Sequence, residues 1–400
     1  MARDEDASGD QVEWLDLESS DAVRLPERRP WPGWLRFGVV LAVLALVALV
    51  VTTQRDRQPT SRAVPGPAQR TAAVVVPTAA PSTIDAPPPP VSMIALGHPL
   101  LGVTSGWELY GRGPGALVRI EPARGLITRT TVPGLLSSGP VSFVIGADAV
   151  IIRPIDRVPG YLVVDGRSSR PIVLAPGSGG PVFPGPSPSQ VWMQTGDDTS
   201  PTLTLSELDG SRPTASIPVP AGSSPLEASS DGAGYLLFTR PDGTYQARSG
   251  MLRRLTTGTL LATGPTGWVD AHCDARHRCR MGFISRANGS RRVLGSETGG
   301  LPGGLISPDG STAAMLEVSP GGAIGLYLLD LHNGSRRPVT VAMDGEAPNG
   351  TTVFSPDSRW LFAVTARGTL AVIDHRTANV SGFGAPLPTL SQLAVKPAIR

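Results

Sequence analysis

Residues 360–373 read WLFAVTARGTLAVI, two apolar runs separated by a short polar loop. From about residue 94 onward, the same order of apolar run, polar loop, second apolar run and tight turn recurs in seven segments. Glycine and asparagine tolerate the positive φ that such hairpin turns demand. The turn after the second run falls, at spacings of 39 to 45 residues, at Gly125, Gly166, Gly210, Gly250, Gly289, Gly334 and Asn379.

A repeat of about 42 residues with four short strands in each unit is typical of a β-propeller. The chain also contains 47 Gly and 41 Pro residues, which punctuate turns and are poor in helix interiors. We therefore predict an all-β fold: a seven-bladed β-propeller over residues 93–400, preceded by one transmembrane helix. Six or eight blades and a pair of sandwiches are the alternatives. Either Val91–Leu96 or Leu390–Lys396 would complete the ring.

Two of the repeats share a turn motif. Ser307-Pro308-Asp309-Gly310 and Ser355-Pro356-Asp357-Ser358 each follow an apolar stretch and precede a strand. This resembles the turn between the first and second strands of a blade in TolB-type and WD-repeat-like propellers. The resemblance implies a fold and not an activity, because propellers host many unrelated functions. The composition, in which Lys396 is the only lysine, resembles that of a GC-rich, actinobacterial genome.

An apolar segment precedes the repeats. Residues 37–53 read FGVVLAVLALVALVVTT and carry no charge. As a helix this segment spans roughly 25 Å, slightly less than a hydrocarbon core of about 30 Å, and Arg36 can extend it to the headgroups. We predict a transmembrane helix over residues 36–53. A cleaved signal peptide is an alternative, but the preceding residues are net negative and no cleavage site follows promptly.

The segments on either side of this helix differ in composition. Residues 1–35 carry too few apolar groups to fold alone, so we expect a disordered, acidic, cytoplasmic tail, in which Trp14–Leu17 could dock on a partner as a short helix. Residues 54–92 form a Pro/Ala-rich linker of extended character. Long C-terminal domains translocate largely regardless of charge. We therefore predict a single-pass protein of the cell membrane with its N-terminus in the cytoplasm and its propeller outside.

The most distinctive cluster of side chains is His272-Cys273-Asp274-Ala275-Arg276-His277-Arg278-Cys279. It lies between the two apolar runs of the fifth repeat, which makes it the loop joining a second and a third strand. A Cys273–Cys279 disulfide, a zinc site and two free thiols are the three interpretations, and an exported domain is consistent with the disulfide. The resemblance to propellers implies that such loops line one ligand-binding rim. We take His272, Arg276, His277 and Arg278 as candidate binding residues for an anionic partner.

Catalytic motifs are absent from the sequence. There is no G-x-S-x-G, H-E-x-x-H or G-K-[ST] pattern, so we predict no catalytic residue, no metal and no cofactor. A net charge of +2 is too small to indicate a nucleic-acid partner. The predicted function is a binding module for a protein, a peptide or a cell-envelope ligand. A propeller-fold lyase or hydrolase acting on an envelope substrate, and a transmembrane signalling partner acting through the acidic tail, are the alternatives.

Overall fold

The structure is a computed structural model in which the described residues form short β-strands, two to eight residues long. The only helical turn among them is the 3-10 turn Pro122–Arg124. Frequent glycine and proline explain the short strands, because both residues interrupt a ladder of hydrogen bonds. Apart from the backbone of residues 14–16, the described ranges are 91–132, 141–154, 160–172, 180–195, 201–223, 229–230, 236–248, 251–274, 276, 278–297, 300–318, 324–343 and 350–396.

One short strand comes from the N-terminal tail. β1 (Trp14–Asp16) pairs antiparallel with residues 251–253, with Trp14 opposite Arg253. The backbone of these three residues is therefore extended in the structure, whereas the helix suggested for Trp14–Leu17 belongs to a tail docked on a partner. The pairing is possible because the strand that β1 joins lies at the edge of its sheet, where backbone groups are otherwise unpaired.

Sheets 1 and 2 come first along the rest of the chain. Sheet 1 contains β2 (Val91–Ala95), β3 (Glu108–Gly113), β4 (Ala116–Glu121) and β5 (Leu126–Thr131). Sheet 2 contains β6 (Val141–Ile145), β7 (Ala149–Pro154), β8 (Gly160–Val164) and β9 (Ser168–Ile172). Consecutive strands of sheet 2 pair antiparallel, as in one propeller blade.

Sheets 3 and 4 repeat this arrangement. Sheet 3 contains β10 (Val182–Pro184), β11 (Gln190–Thr195), β12 (Thr202–Glu207) and β13 (Ala215–Pro218). Sheet 4 contains β14 (Ser229–Ser230), β15 (Leu236–Arg240), β16 (Gly243–Arg248) and β17 (Met251–Thr256). β1 lies outside β17 as the fifth strand of sheet 4.

The next eight strands form one continuous sheet, here called the double sheet. Its first half contains β18 (Thr259–Gly264), β19 (Gly267–Cys273), β20 (Cys279–Ser285) and β21 (Arg291–Glu297). Its second half contains β22 (Gly300–Ile306), β23 (Thr312–Val318), β24 (Ile324–Asp330) and β25 (Arg336–Met343). The last sheet contains β26 (Thr352–Phe354), β27 (Trp360–Val364), β28 (Leu370–Asp374) and β29 (Val380–Gly382).

The predicted fold class is wrong in its blade count. Hydrogen bonding gives five separate sheets of four or five strands, each the size of a blade, and the eight-stranded double sheet, instead of seven separate blades. The cause is a parallel pairing of β18 with β22, in which Ala262 lies opposite Gly304 and Thr263 opposite Leu305. This pairing merges two sequence repeats into one sheet. The fold remains all-β and propeller-like.

The predicted transmembrane helix also has no counterpart in the described part of the chain. No helix there is long and apolar enough to cross a membrane. Residues 36–53 themselves lie outside the described residues, as do residues 17–35 and 54–90 on either side of them.

The ring is closed by β30 (Gln392–Lys396), which pairs with β3 so that Gln392 lies opposite Arg112. β30 becomes the first strand of sheet 1 and contacts the first strands of its two neighbours, β6 and β26. Of the two closures that the sequence left open, the structure therefore uses the one near residues 390–396. Residues 91–95 instead form β2, which adds a fifth strand to the outer edge of sheet 1 by pairing with β5.

The apolar core lies between neighbouring sheets. Tyr110 and Leu117 of sheet 1, for example, cluster with Val141, Val150 and Ile152 of sheet 2. Similar clusters join sheet 2 to sheet 3, sheet 3 to sheet 4, sheet 4 to the double sheet, the double sheet to the last sheet, and the last sheet to sheet 1. Burying one such Leu or Ile side chain contributes about 1.5–3 kcal/mol. Each sheet therefore depends on its two neighbours for most of its stability.

The two Ser-Pro-Asp turns lie where the sequence predicts, between the first and second strands of their units. The hydroxyl of buried Ser307 donates to Asp309 Oδ1 at 2.6 Å and accepts the N–H of Thr312 at 3.1 Å. Burial raises the pKa of Asp309, but the hydrogen bonds from Ser307 and Ser311 outweigh it and leave this pKa below its ordinary value. Ser355 and Asp357 make the same bond in the last sheet.

The same turn joins two sheets. The N–H of Asp309 donates to the hydroxyl of Ser358 in the last sheet at 2.9 Å. On its other side, Gly310 has a φ of +73°, and a Cβ there would lie 2.7 Å from Oγ1 of Thr266, in the β18–β19 turn. Both the positive φ and the close approach therefore require glycine at position 310.

We predict that Gly310→Ala lowers the free energy of unfolding by about 1–3 kcal/mol, because it combines strain at positive φ with a clash against Thr266. Gly384→Ala is the matched control, since Gly384 has a φ of +79° and a Cβ there would meet no atom within 4 Å. Urea unfolding followed by circular dichroism gives both values. Equal losses for the two variants would show that the contact with Thr266 has no effect.

Candidate functional site

The segment singled out in the sequence forms a closed loop at the end of a hairpin. Cys273 ends β19, Cys279 begins β20, and the two residues lie directly opposite each other. A disulfide bond joins them. We call residues 273–279 the disulfide loop. The bond fixes the base of the loop covalently and removes both thiols as potential zinc ligands.

Within the disulfide loop, Asp274 organises the backbone. Its Oδ1 accepts the N–H groups of Arg276 at 2.9 Å and of Arg278 at 3.0 Å, while its Oδ2 lies 2.8 Å from a terminal nitrogen of Arg278. The hydrogen bonds from the backbone and the side chain of Arg278 hold the pKa of Asp274 below its ordinary value. Asp274 therefore stays ionised and offsets the charge of Arg278.

Two other arginines leave the region cationic. Arg276, in the loop, and Arg280, the second residue of β20, are both exposed. Neither guanidinium makes an ion pair with an acidic side chain among the described residues. The Arg278–Asp274 pair is exposed, and such pairs contribute little to stability, so its effect is to shape the loop. The free positive charge of the loop region therefore lies on Arg276 and Arg280.

Beneath the loop, the carboxylate of Asp270 is the centre of a polar network. Its side chain is 0% exposed, and its two oxygens lie 3.0 and 3.2 Å from Nε of Arg291. The hydroxyl of Thr256, on β17 of sheet 4, donates to Oδ2 at 2.6 Å, and Nε2 of His272 lies 2.8 Å from the same oxygen. Because an ionised carboxylate only accepts hydrogen bonds, Nε2–H of His272 is the donor in this contact.

A glycine makes room for this network. Gly282 lies opposite Asp270 on the neighbouring strand β20. A Cβ at Gly282 would lie 2.5 Å from Cζ of Arg291, so any other residue would displace the guanidinium. Arg291 can therefore cross β20 to reach Asp270 only because residue 282 lacks a side chain.

The structure separates the four candidate binding residues. Arg276 is exposed on the loop, and Arg278 is paired with Asp274. His272 lies on β19, and its ring bonds to Asp270 below the loop. The side chain of His277 lies outside the described residues. Among the described residues, no group of three or more His, Cys, Asp or Glu side chains could hold a metal ion.

The supporting residues Thr256, Asp270 and Arg291 were missed in the sequence. The sequence could have indicated that Asp270 is a buried, paired charge. Asp270 interrupts the apolar run that begins at Trp268, and a charge within a buried strand requires a partner. Thr256 and Arg291 belong to other strands, and nothing in their local sequence indicates a contact with Asp270.

The chain matches no protein-family model and no curated protein. Among solved structures, it is similar to TolB from Acinetobacter baumannii, at 16% identity and a TM-score of 0.44, over 74% of this chain and 68% of that one. It is also similar to a protein of unknown function from Desulfotomaculum acetoxidans, at 14% identity and a TM-score of 0.46, over 74% and 100% of the two chains. An oligogalacturonate lyase in complex with manganese is similar at 11% identity and a TM-score of 0.49, over 70% and 89%.

These similarities are too distant to indicate an activity. The assignment of the chain to the class of all-β, propeller-like proteins rests on the pairing of its own strands.

We predict that Gly282→Ala lowers the free energy of unfolding by about 1–3 kcal/mol, because it moves Arg291 away from a fully buried carboxylate. The matched control is Gly325→Ala, at a strand glycine whose Cβ would meet nothing closer than 3.7 Å. In an Asp270→Asn background, Gly282→Ala should lower the free energy of unfolding by less, because no buried charge remains to lose its partner.

An equal decrease in the free energy of unfolding in both backgrounds would refute the role of the ion pair.

Proposed function

We propose that this chain is a membrane-tethered binding protein whose propeller-like domain contacts an anionic protein, peptide or cell-envelope ligand on the outside of the cell. The observation that supports the proposal is the disulfide loop, which presents the exposed guanidiniums of Arg276 and Arg280 on a covalently closed base. The domain acts through this loop, and the apolar segment 36–53 holds it at the membrane.

The construction of the loop suits binding. Ordering a flexible loop costs free energy when a partner binds, so a loop that is already ordered binds more tightly. Here the disulfide closes the base, and the bonds to Asp274 order the tip. Exposed cations then steer an anionic partner and select it against cationic ones.

The cysteines and the apolar segment support the proposed cellular location. Disulfides persist in oxidising compartments and are rare in the cytosol of most organisms. A disulfide in a domain that follows an uncharged apolar segment therefore favours an external domain. The abundance of arginine over lysine supports a GC-rich, bacterial source.

The pairing of β1 with β17 bears on this topology. A membrane crossed by residues 36–53 would place β1 and sheet 4 on opposite sides, so one chain could not make this pairing once the segment is inserted. The proposed topology therefore requires that β1 leave the edge of sheet 4 on insertion.

We predict that an impermeant maleimide added to intact cells labels a Ser216→Cys variant and does not label Ser20→Cys until the cells are lysed. Ser216 is exposed on the outer strand of sheet 3, and Ser20 lies in the acidic tail. Labelling of both variants in intact cells would place the tail outside, where the pairing of β1 could persist. Labelling of neither before lysis would contradict an external domain.

We also predict that the full chain, purified in detergent, binds immobilised poly-L-glutamate through the disulfide loop. Arg276→Ala combined with Arg280→Ala should weaken binding by about tenfold at low salt, and the difference should shrink as salt screens the charges. Arg367→Ala is the matched control, because Arg367 is exposed in the second-to-third-strand turn of the last sheet. Cys273→Ser combined with Cys279→Ser should also weaken binding, because the two ends of the disulfide loop would no longer be covalently joined.

Two results would contradict the binding proposal. One is equal affinity of the wild-type chain and the Arg276/Arg280 double variant for poly-L-glutamate. The other is a loss of affinity in Arg367→Ala that equals the loss in the double variant. That result would show that any surface arginine contributes to binding and that the disulfide loop is not the binding site.

A further inference from the structure

Most outer strands of the described sheets are protected against pairing with another strand. β29 has only three residues, β21 has an irregular register with β20, and β5 is covered by β2. β9, β13 and β25 each contain a proline, which cannot donate a ladder hydrogen bond, at Pro171, Pro218 and Pro338. Short strands, irregular registers, prolines and covering segments are the ordinary ways in which proteins block the edges of sheets.

β17, the outer strand of sheet 4, lacks these protections over residues 251–254. It is six residues long, contains no proline and pairs regularly with β16 from Met251 to Arg254. It also carries two adjacent arginines, Arg253 and Arg254, and Arg254 is exposed. The outer backbone of this strand is therefore a template for an added strand, and its charge favours an acidic one.

The structure contains such an added strand. β1 pairs antiparallel with residues 251–253, although it comes from the opposite end of the chain sequence. Residues 13–18, which include β1, read EWLDLE, so this segment carries three acids. The edge that lacks its own protection is thus occupied by a segment whose charge is opposite to that of Arg253 and Arg254.

The register shows which backbone groups hold β1. Arg248 and Met251 are the last paired residues before the turn between β16 and β17, so their backbone groups bond to each other. The backbone groups of the next residue, Leu252, then face β1, where Leu15 lies opposite. The side chain of Leu252 is 2% exposed within the apolar cluster that joins sheets 3 and 4. An added strand therefore binds to a backbone that packing already fixes, which lowers the free-energy cost of ordering on binding.

We propose that the outer edge of sheet 4 is a strand-addition site for an extended acidic peptide, in addition to the disulfide loop, and that β1 occupies this site as an internal competitor. Backbone hydrogen bonds to β17 supply the affinity, and the two arginines select acidic sequences. In the topology proposed above, insertion of residues 36–53 separates β1 from sheet 4, so the edge opens to a partner outside the cell. This last step rests on the proposed function, whereas the binding itself does not.

The test uses a fluorescein-labelled peptide of residues 11–19, QVEWLDLES, and the full chain in detergent, where membrane topology has no effect. In fluorescence polarisation, a Leu15→Pro chain should bind the peptide about tenfold more tightly than the wild-type chain. The reason is that proline removes the N–H through which β1 pairs with Leu252, and with it a competitor at high effective concentration. A peptide that itself carries Leu15→Pro should bind neither chain.

A charge exchange tests the register of the added strand. A peptide that continues the antiparallel register of β1 places Glu13 opposite Arg254. In the Leu15→Pro chain, Arg254→Glu should weaken binding by about fivefold, and a peptide carrying Glu13→Lys should restore it. Arg129→Glu is the matched control and should leave binding unchanged, because Arg129 is an exposed arginine on β5, the outer strand that β2 covers.

Three results would overturn the proposal. Equal binding of the unmodified and the proline-containing peptides would show that charge attraction alone, without strand pairing, explains the affinity. Equal affinity of the wild-type and Leu15→Pro chains would show that β1 does not compete for this edge. Absence of binding to the Leu15→Pro chain would show that the edge accepts no added peptide.

Discussion

The pairing of β30 with β3 is the contact on which the remaining sheets depend. Every sheet buries its faces against two neighbours, and β30, as the first strand of sheet 1, contacts the first strands of both the last sheet and sheet 2. Leu393, 4% exposed, belongs to the apolar cluster that joins these two sheets, and its N–H donates to the carbonyl oxygen of Gly350 at 2.6 Å. Residues near the two ends of the domain are thereby held together, so the sheets gain stability as a set.

Most side chains between neighbouring sheets are apolar, and some charged groups lie near the ends of second strands. The disulfide loop follows β19, and Arg112 and Arg153 lie near the ends of β3 and β7. The loop exposes its cations to solvent, whereas Arg112 and Arg153 are buried. Asp270 is a buried anion that pairs with Arg291 and accepts a hydrogen bond from Thr256.

Much of the fold could be predicted because turn chemistry is local. Five of the seven turn positions are glycines with φ between 58° and 81°; the described part omits Gly250, and at Asn379 the positive φ falls on Ala378 instead. The merging of two repeats could not be predicted, since the β18–β22 pairing depends on how two distant backbones approach. The cysteine spacing is also local, and it made a closed loop one of the interpretations. The contact between Asp270 and Arg291 could not be predicted, because it joins two strands and depends on the space left by Gly282. Contacts between strands leave no periodic pattern in the sequence.

The dependence of the fold on β30 is tested most directly by the stability of a chain that ends after Ser391, compared with a control that ends after Lys396. The first lacks β30 and the second keeps it. Hydrogen exchange followed by mass spectrometry, together with urea unfolding, would be measured on both. The shorter chain should lose cooperative unfolding, and amides of β3 and β26 should exchange rapidly, while the control should behave as the full chain. Slow exchange and an unchanged cooperative transition in the shorter chain would show that the sheets do not depend on the pairing of β30 with β3.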